Sequence, residues 1–281
     1  MKRILHVLGW RLEDVTKALT DIQHAGFNAI QISPVQAFRE DGYDWWKMYQ
    51  PLNIEIGNRL GSRESLVALC KSAHDLSIEV YVDVCLRNVA SAVDDPYEVH
   101  LYVDPTIDLA DAEDCLDYED RYEATHKRVG LPMVDYFSER MQHYHRAFLH
   151  DLVACGVDGF RVDMAKHFAL PSEGCDYLTY VYGDFADKFI YGEVLFAPTA
   201  LLDDYSEHMH VLTNGRLTDP TKAVYFVESH DSYHDDLIGW SREWKDEEIL
   251  HRYRWLLEEQ PKANTLFFAR PFNDTWKRAH S

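Results

Sequence analysis

Residues 156–167 read GVDGFRVDMAKH, and the alternation within them describes a buried strand that ends in charge. Val157, Phe160 and Val162 supply the apolar positions. Side chains of a strand alternate between its faces, so Arg161 and Asp163 project to the same side at the strand's C-terminal end. A guanidinium beside a carboxylate favours the ionised form, and an ionised aspartate at the open end of a barrel is suited to nucleophilic attack. Taken alone, the fragment reads equally well as a buried structural ion pair.

Two further segments decide between these readings. FIYGEV at 189–194 and AVYFVESHD at 223–231 are apolar runs that also end in acid. Asp163, Glu193 and Asp231 therefore close three separate expected strands, the position where barrel enzymes carry catalytic groups. With Arg161 and His230 beside them, they match what glycoside hydrolysis requires: a carboxylate nucleophile, an acid for the leaving oxygen, and charge to stabilise an oxocarbenium-like transition state.

The rest of the chain fits the same frame. Strands are predicted at 4–8, 27–32, 79–84, 157–162, 189–191, 209–212, 224–227 and 265–268, and helices at 13–25, 63–75, 137–155, 176–188, 199–208 and 246–259. This alternation belongs to the α/β class and predicts a parallel sheet closed as a (β/α)8 TIM barrel. The 281 residues suit one such barrel of roughly 250 residues. Residues 89–134 show neither period and read as an insertion. The expected organisation is barrel over 1–88, a small inserted domain over 89–135, and barrel again over 136–281. Asn214, Gly215, Asp219 and Pro220 are turn formers where a sixth helix would stand.

Composition narrows the partners. Against 28 basic residues stand 48 acidic ones, a formal charge of −20, which repels phosphate backbones and anionic lipid and so excludes nucleic acid and membrane surfaces. A neutral carbohydrate is indifferent to that field, and 13% aromatic residues supply flat faces for sugar rings. No stretch approaches the roughly 18 apolar residues of a membrane span. Lys2 and Arg3 before an apolar stretch mimic a signal peptide, but the stretch is too short and reads as the first barrel strand. The five scattered cysteines have no metal spacing and read as buried thiols of a cytoplasmic protein. His6, His24, His74, His143 and His145 have no partner pattern and read as ordinary surface or core residues.

At its three acidic segments the sequence resembles the alpha-amylase family of glycoside hydrolases and transglycosidases: GFRVDMAKH is similar to the nucleophile segment, GEV to the acid/base segment and FVESHD to the third-acid segment, in the same order. GWRLEDV at 9–15, GFNAIQISP at 26–34 and WWKMYQPLNIEIGNRLGS at 45–62 extend the resemblance through the N-terminal third. It implies Asp163 as nucleophile, Glu193 as general acid/base and Asp231 as transition-state stabiliser, with Arg161 and His230 in the same subsite. Trp45, Trp46, Tyr49 and Gln50 are expected to bind sugar, the aromatics by stacking, and Lys166 and His167 to reach the leaving-group side. Asp83 is expected to bond Arg161.

The departures from the family matter as much. Where it carries Asn-His after strand three, this chain has Arg87 and Asn88, so a calcium ligand becomes arginine and a sugar-binding histidine becomes asparagine. Met133 stands where an aspartate ligand is often found. The implied enzyme therefore works without calcium or any other metal or cofactor, with Arg87 pairing an acid of the insert such as Asp135. The family's C-terminal β-sandwich is not recognised, and a pared-down barrel with a shallow cleft for short substrates is expected. The implied activity is retaining hydrolysis of α-1,4 bonds in an α-glucan or maltooligosaccharide. A transglucosidase shares every residue above. A non-catalytic glucan binder would need stacking aromatics rather than three clustered acids, and a metal-dependent barrel enzyme is disfavoured because Arg161 would repel a divalent ion beside Asp163.

Overall fold

The computed structural model describes residues 1–39, 44–90, 108–234 and 239–281. Eight parallel strands close a barrel in sequential order: β1 (Arg3–Val7), β2 (Ala29–Ile32), β3 (Glu79–Val84), β4 (Gly159–Val162), β5 (Phe189–Glu193), β6 (His210–Thr213), β7 (Ala223–Phe226) and β8 (Asn264–Phe268), with β8 pairing back to β1. All eight predicted strands are present. Each is short, Val-, Ile- and aromatic-rich, and buried on both faces, as parallel strands sandwiched between helices and barrel interior must be.

The two-residue period of the strands separates two cores. Ile4, Ala29, Tyr81, Tyr191, Leu212, Val224 and Leu266 fill the barrel interior, while Leu5, Ile30, Val80, Val82 and Phe160 face outward to the helices. His6, Gln31, Asp83, Arg161 and Glu193 share the parity of the interior set and sit toward the C-terminal rim. Gly159 makes this closure possible: a Cβ there would lie 2.0 Å from the carbonyl oxygen of Phe189 on the neighbouring strand.

Helix α1 (Leu12–His24) buries Leu12, Val15, Leu19 and Ile22 at helical spacing, and α2 (Arg63–Asp75) begins where Ser62 accepts a hydrogen bond from the Ser65 amide. Three local expectations differ from the structure. The helix expected over 176–188 is only Tyr177–Tyr182 and passes into a 3-10 turn at Gly183, where glycine weakens helix propagation. A helix absent from the sequence reading, Arg121–His126, starts at an Asp120 side chain that accepts from the Glu123 amide. Another, His230–His234, carries Asp231. As expected, only a 3-10 turn, Pro220–Lys222, follows the turn formers before β7.

Part of the expected insert, 91–107, lies outside the described residues. Its remainder docks on the barrel through bridges Asn88–Met133 and Leu109–Val134 and a small core of Leu52, Val89, Ala90, Val134 and Met141. The principal tie is polar. Arg87, 1% exposed, donates from Nη2 to the carbonyls of Ala124, Thr125 and Lys127 at 3.3, 3.2 and 2.9 Å, and from Nε to that of His167 at 2.7 Å. The expected ion pair with Asp135 does not form: the guanidinium donates to backbone carbonyls instead. Burial draws it down to about 10, which leaves it charged at neutral pH. Met133 is 2% exposed and packs into the main core.

Arg87→Asn should therefore lower unfolding stability by about 3 kcal/mol or more, since asparagine cannot reach the carbonyls and each buried group left unpaired costs roughly 1–3 kcal/mol. Urea titration reads this directly; a loss under about 0.5 kcal/mol would show that the clamp is not structural.

Candidate active site

The site is assembled at the C-terminal ends of β3, β4, β5 and β7 around one buried guanidinium. Arg161 Nη1 donates to Asp83 Oδ1 at 2.8 Å and to Asp163 Oδ1 at 2.6 Å, and its Nη2 lies 2.6 Å from Glu193 Oε1. Arg161 and Asp83 are fully enclosed, whereas Asp163 and Glu193 keep a small opening to solvent, with 13% and 14% of their side chains exposed. Glu193 also accepts from the Met164 amide at 3.1 Å, a bond set up by the left-handed backbone of Met164 at φ 52°.

One guanidinium cannot neutralise this many acids in a desolvated site. Burial raises the carboxyls of Asp83, Asp163 and Glu193 above the usual range against the pull of Arg161. This corrects the sequence expectation that Arg161 alone holds Asp163 ionised: its charge is shared among several carboxyls, and the group titrates together. Asp231 raises Glu193 further, by its charge and by a side-chain hydrogen bond that needs a proton between the two.

His230 lies behind Asp231, with Nε2 3.5 Å from Asp231 Oδ1. Its ring stacks on Tyr49 at 4.8 Å and 2°, and Tyr49 is pinned by donating its hydroxyl to Asp83 Oδ2 at 2.9 Å. Burial and Arg161 hold His230 neutral. Trp45 packs against His230 and stacks on His234 at 5.3 Å, so its ring is committed to the wall. Trp46, 43% exposed, leaves a face open.

A cleft of about 610 Å³ opens above these acids. Trp45, Trp46, Tyr49, Gln50, Asn88, Asp163, Lys166, His167, Glu193, His230 and Asp231 all line it, while Arg161 and its partner Asp83 stand behind the lining. Lys166 Nζ donates to the Phe196 carbonyl at 3.3 Å. His167 is tied back to the Ala124 carbonyl through Nδ1, and burial lowers it to about 3. Sequence reasoning missed Tyr118, Glu119, Met164 and Phe196 on the cleft wall. Tyr118 and Glu119 lie in the stretch without periodicity, which offered no signal. It also read His6 as ordinary, yet His6 sits inside the barrel with its ring edge-on to His230 at 5.3 Å.

At the positions the resemblance gives to calcium ligands, the structure places Arg87 and Met133. A hard cation needs a shell of oxygens, whereas the carbonyls of Ala124, Thr125, Lys127 and His167 accept from the Arg87 guanidinium and the Met133 thioether is sealed in the core.

No family model matches the chain. It is 32% identical over 282 residues to an alpha-amylase of Clostridium acetobutylicum, an alignment covering 85% of this chain and 37% of that protein. The chain spans little more than a third of the curated relatives it matches. Among solved structures, alpha-amylase I of Eisenia fetida superposes with a TM-score of 0.79 at 18% identity, over 95% of this chain and 66% of that one. The alpha-amylase of Geobacillus thermoleovorans complexed with acarbose gives 0.75 at 16%, over 99% and 73%. The barrel agrees with these structures. The chain belongs to the alpha-amylase family of glycoside hydrolases.

Proposed function

We propose that this chain is a retaining α-glucan hydrolase that cleaves α-1,4 bonds by double displacement. The observation that carries the reading is the single Arg161 guanidinium bridging Asp163 and Glu193 from adjacent strands. Such a bridge suits the roughly 5–5.5 Å carboxyl separation of retaining enzymes better than the wider gap that admits a water. Glu193, which shares a proton with Asp231, protonates the glycosidic oxygen as the Asp163 carboxylate attacks the anomeric carbon and the C–O bond breaks. Glu193 then removes a proton from water, which displaces Asp163 and restores the original anomeric configuration. Tyr49, His230 and the open face of Trp46 would hold the sugar. Acarbose in the Geobacillus neighbour supports an oligosaccharide ligand.

A second reading replaces water by a sugar hydroxyl, giving a transglucosidase. It is favoured by Phe196, which is exposed on the wall of the same cleft and packs edge to face with the exposed Trp240 at 6.2 Å, where an acceptor sugar could pack. Either activity would proceed without calcium, because Arg87 already supplies a positive charge to the carbonyls concerned. The five buried thiols suit a reducing, cytoplasmic setting.

Asp163→Asn and Glu193→Gln should each lower kcat on maltopentaose by at least about a hundredfold while leaving the circular dichroism spectrum unchanged. Proton NMR of the wild-type reaction should show the α-anomer first; initial β-anomer would overturn double displacement.

The acid must be protonated for the first step, so kcat falls as pH rises through the raised pKa of Glu193. Asp231→Asn removes both influences by which Asp231 raises Glu193, so the alkaline limb of its residual activity should move to lower pH. An unmoved limb would break the proposed coupling.

EDTA should leave turnover and melting temperature unchanged. Loss of activity on chelation, restored by added calcium, would refute the calcium-free reading.

A further inference from the structure

Beneath the catalytic acids the barrel interior encloses a cavity of about 10 Å³, bordered by His6, Gln31, Arg161, Glu193, Ser229 and His230 and closed by apolar side chains. Four buried polar atoms of these residues have no hydrogen-bond partner among the described residues: Nδ1 and Nε2 of His6, Nε of Arg161 and Nδ1 of His230. Their residues are 0%, 1% and 4% exposed. An unpaired buried group forfeits the hydrogen bonds it made to water, and four such groups around one small cavity are a far denser set than stable cores carry.

We propose that this cavity is a binding site for a single ordered water molecule, through which His6 fixes the ring proton of His230 and so acts as a positioning residue for the reaction. The volume is that of about one water-sized sphere, and the borders supply the partners a buried water requires. The charge of the surroundings selects water over an ion. Arg161 is outnumbered by Asp83, Asp163 and Glu193, so a small anion meets net negative charge, while the Arg161 N–H repels a cation. Among the described residues there is no cluster of metal-ligating side chains.

The donors and acceptors also match. Arg161 Nε can only donate, and burial keeps both imidazoles neutral, so each has one N–H and one lone pair. The water accepts from Arg161 Nε and donates to His230 Nδ1, with His6 completing its shell. That leaves the His230 proton on Nε2, the nitrogen 3.5 Å from Asp231 Oδ1. The rings themselves have little freedom: Tyr49 stacks on His230, and Phe268 packs on His6 at 5.7 Å. Only the position of the proton is left to be set, and the water sets it.

The test uses the full chain with 15N-labelled histidine. In the wild type the two ring nitrogens of His230 should report a single tautomer protonated at Nε2. In His6→Phe, which fills the space without a polar atom, they should shift toward the mixed-tautomer average, with kcat on maltopentaose reduced about tenfold and KM within twofold; His6→Gln should recover most of both signals. Unchanged His230 shifts in a folded His6→Phe protein would overturn the proposal. Should that variant not fold, high-resolution diffraction from the wild type decides: one water-sized density peak in the cavity upholds it, and an empty cavity, or an anomalous peak there after a bromide soak, overturns it. The inference rests on the proposed hydrolysis for its kinetic arm alone. The NMR and density readouts involve no turnover, so an inactive enzyme would sink the hydrolase reading and leave this site standing.

Discussion

The structure of the site depends on one buried cation. Arg161 has no exit to solvent, and its charge is tolerable only because Asp83, Asp163 and Glu193 meet it directly. The converse also holds: these acids could not gather inside a barrel without a guanidinium among them. Because the three carboxyls come from three adjacent strands, the same contacts that balance charge also fix the relative positions of the reacting groups. The imbalance that remains, more carboxyls than cations, keeps a proton in the cluster. The double displacement we propose needs an ionised carboxylate beside a protonated one, which such an arrangement supplies.

A second buried arginine works on a different principle. Among the described residues Arg87 pairs with no carboxylate and is satisfied by four backbone carbonyls drawn from the insert and from the turn after β4. Carbonyl dipoles converge there on a centre of positive charge carried by a side chain three residues beyond β3. The consequence reaches the candidate site, because the His167 carbonyl belongs to the 3-10 turn that follows Asp163 and leads to the cleft wall.

Around this charged centre the aromatic residues divide their labour by exposure. Trp45 is committed to His230 and His234 and holds the shape of the wall, Tyr49 gives one face to His230 and still lines the cleft, and Trp46 and Phe196 keep faces open to it. His230 is clamped on one side by Tyr49 and bordered on the other by His6. Its orientation is thereby a property of the whole upper barrel.

The sequence by itself determined the barrel and the acids. Eight apolar runs at strand length, each ending near a charge or a turn, fixed the architecture, and strand parity alone put Arg161 and Asp163 on one face; both are local properties of spacing. Three things were decided only by the tertiary structure. The sharing of Arg161 among three acids depends on strands brought together from residues 83, 161 and 193, and parity within one strand says nothing about it. The Arg87 clamp goes to backbone carbonyls, which every residue possesses and no sequence pattern marks. His6 looked unremarkable because its significance lies in the four unpaired polar atoms around one small cavity, and such a deficit exists only once the chain has closed and removed the water those groups had in the unfolded state.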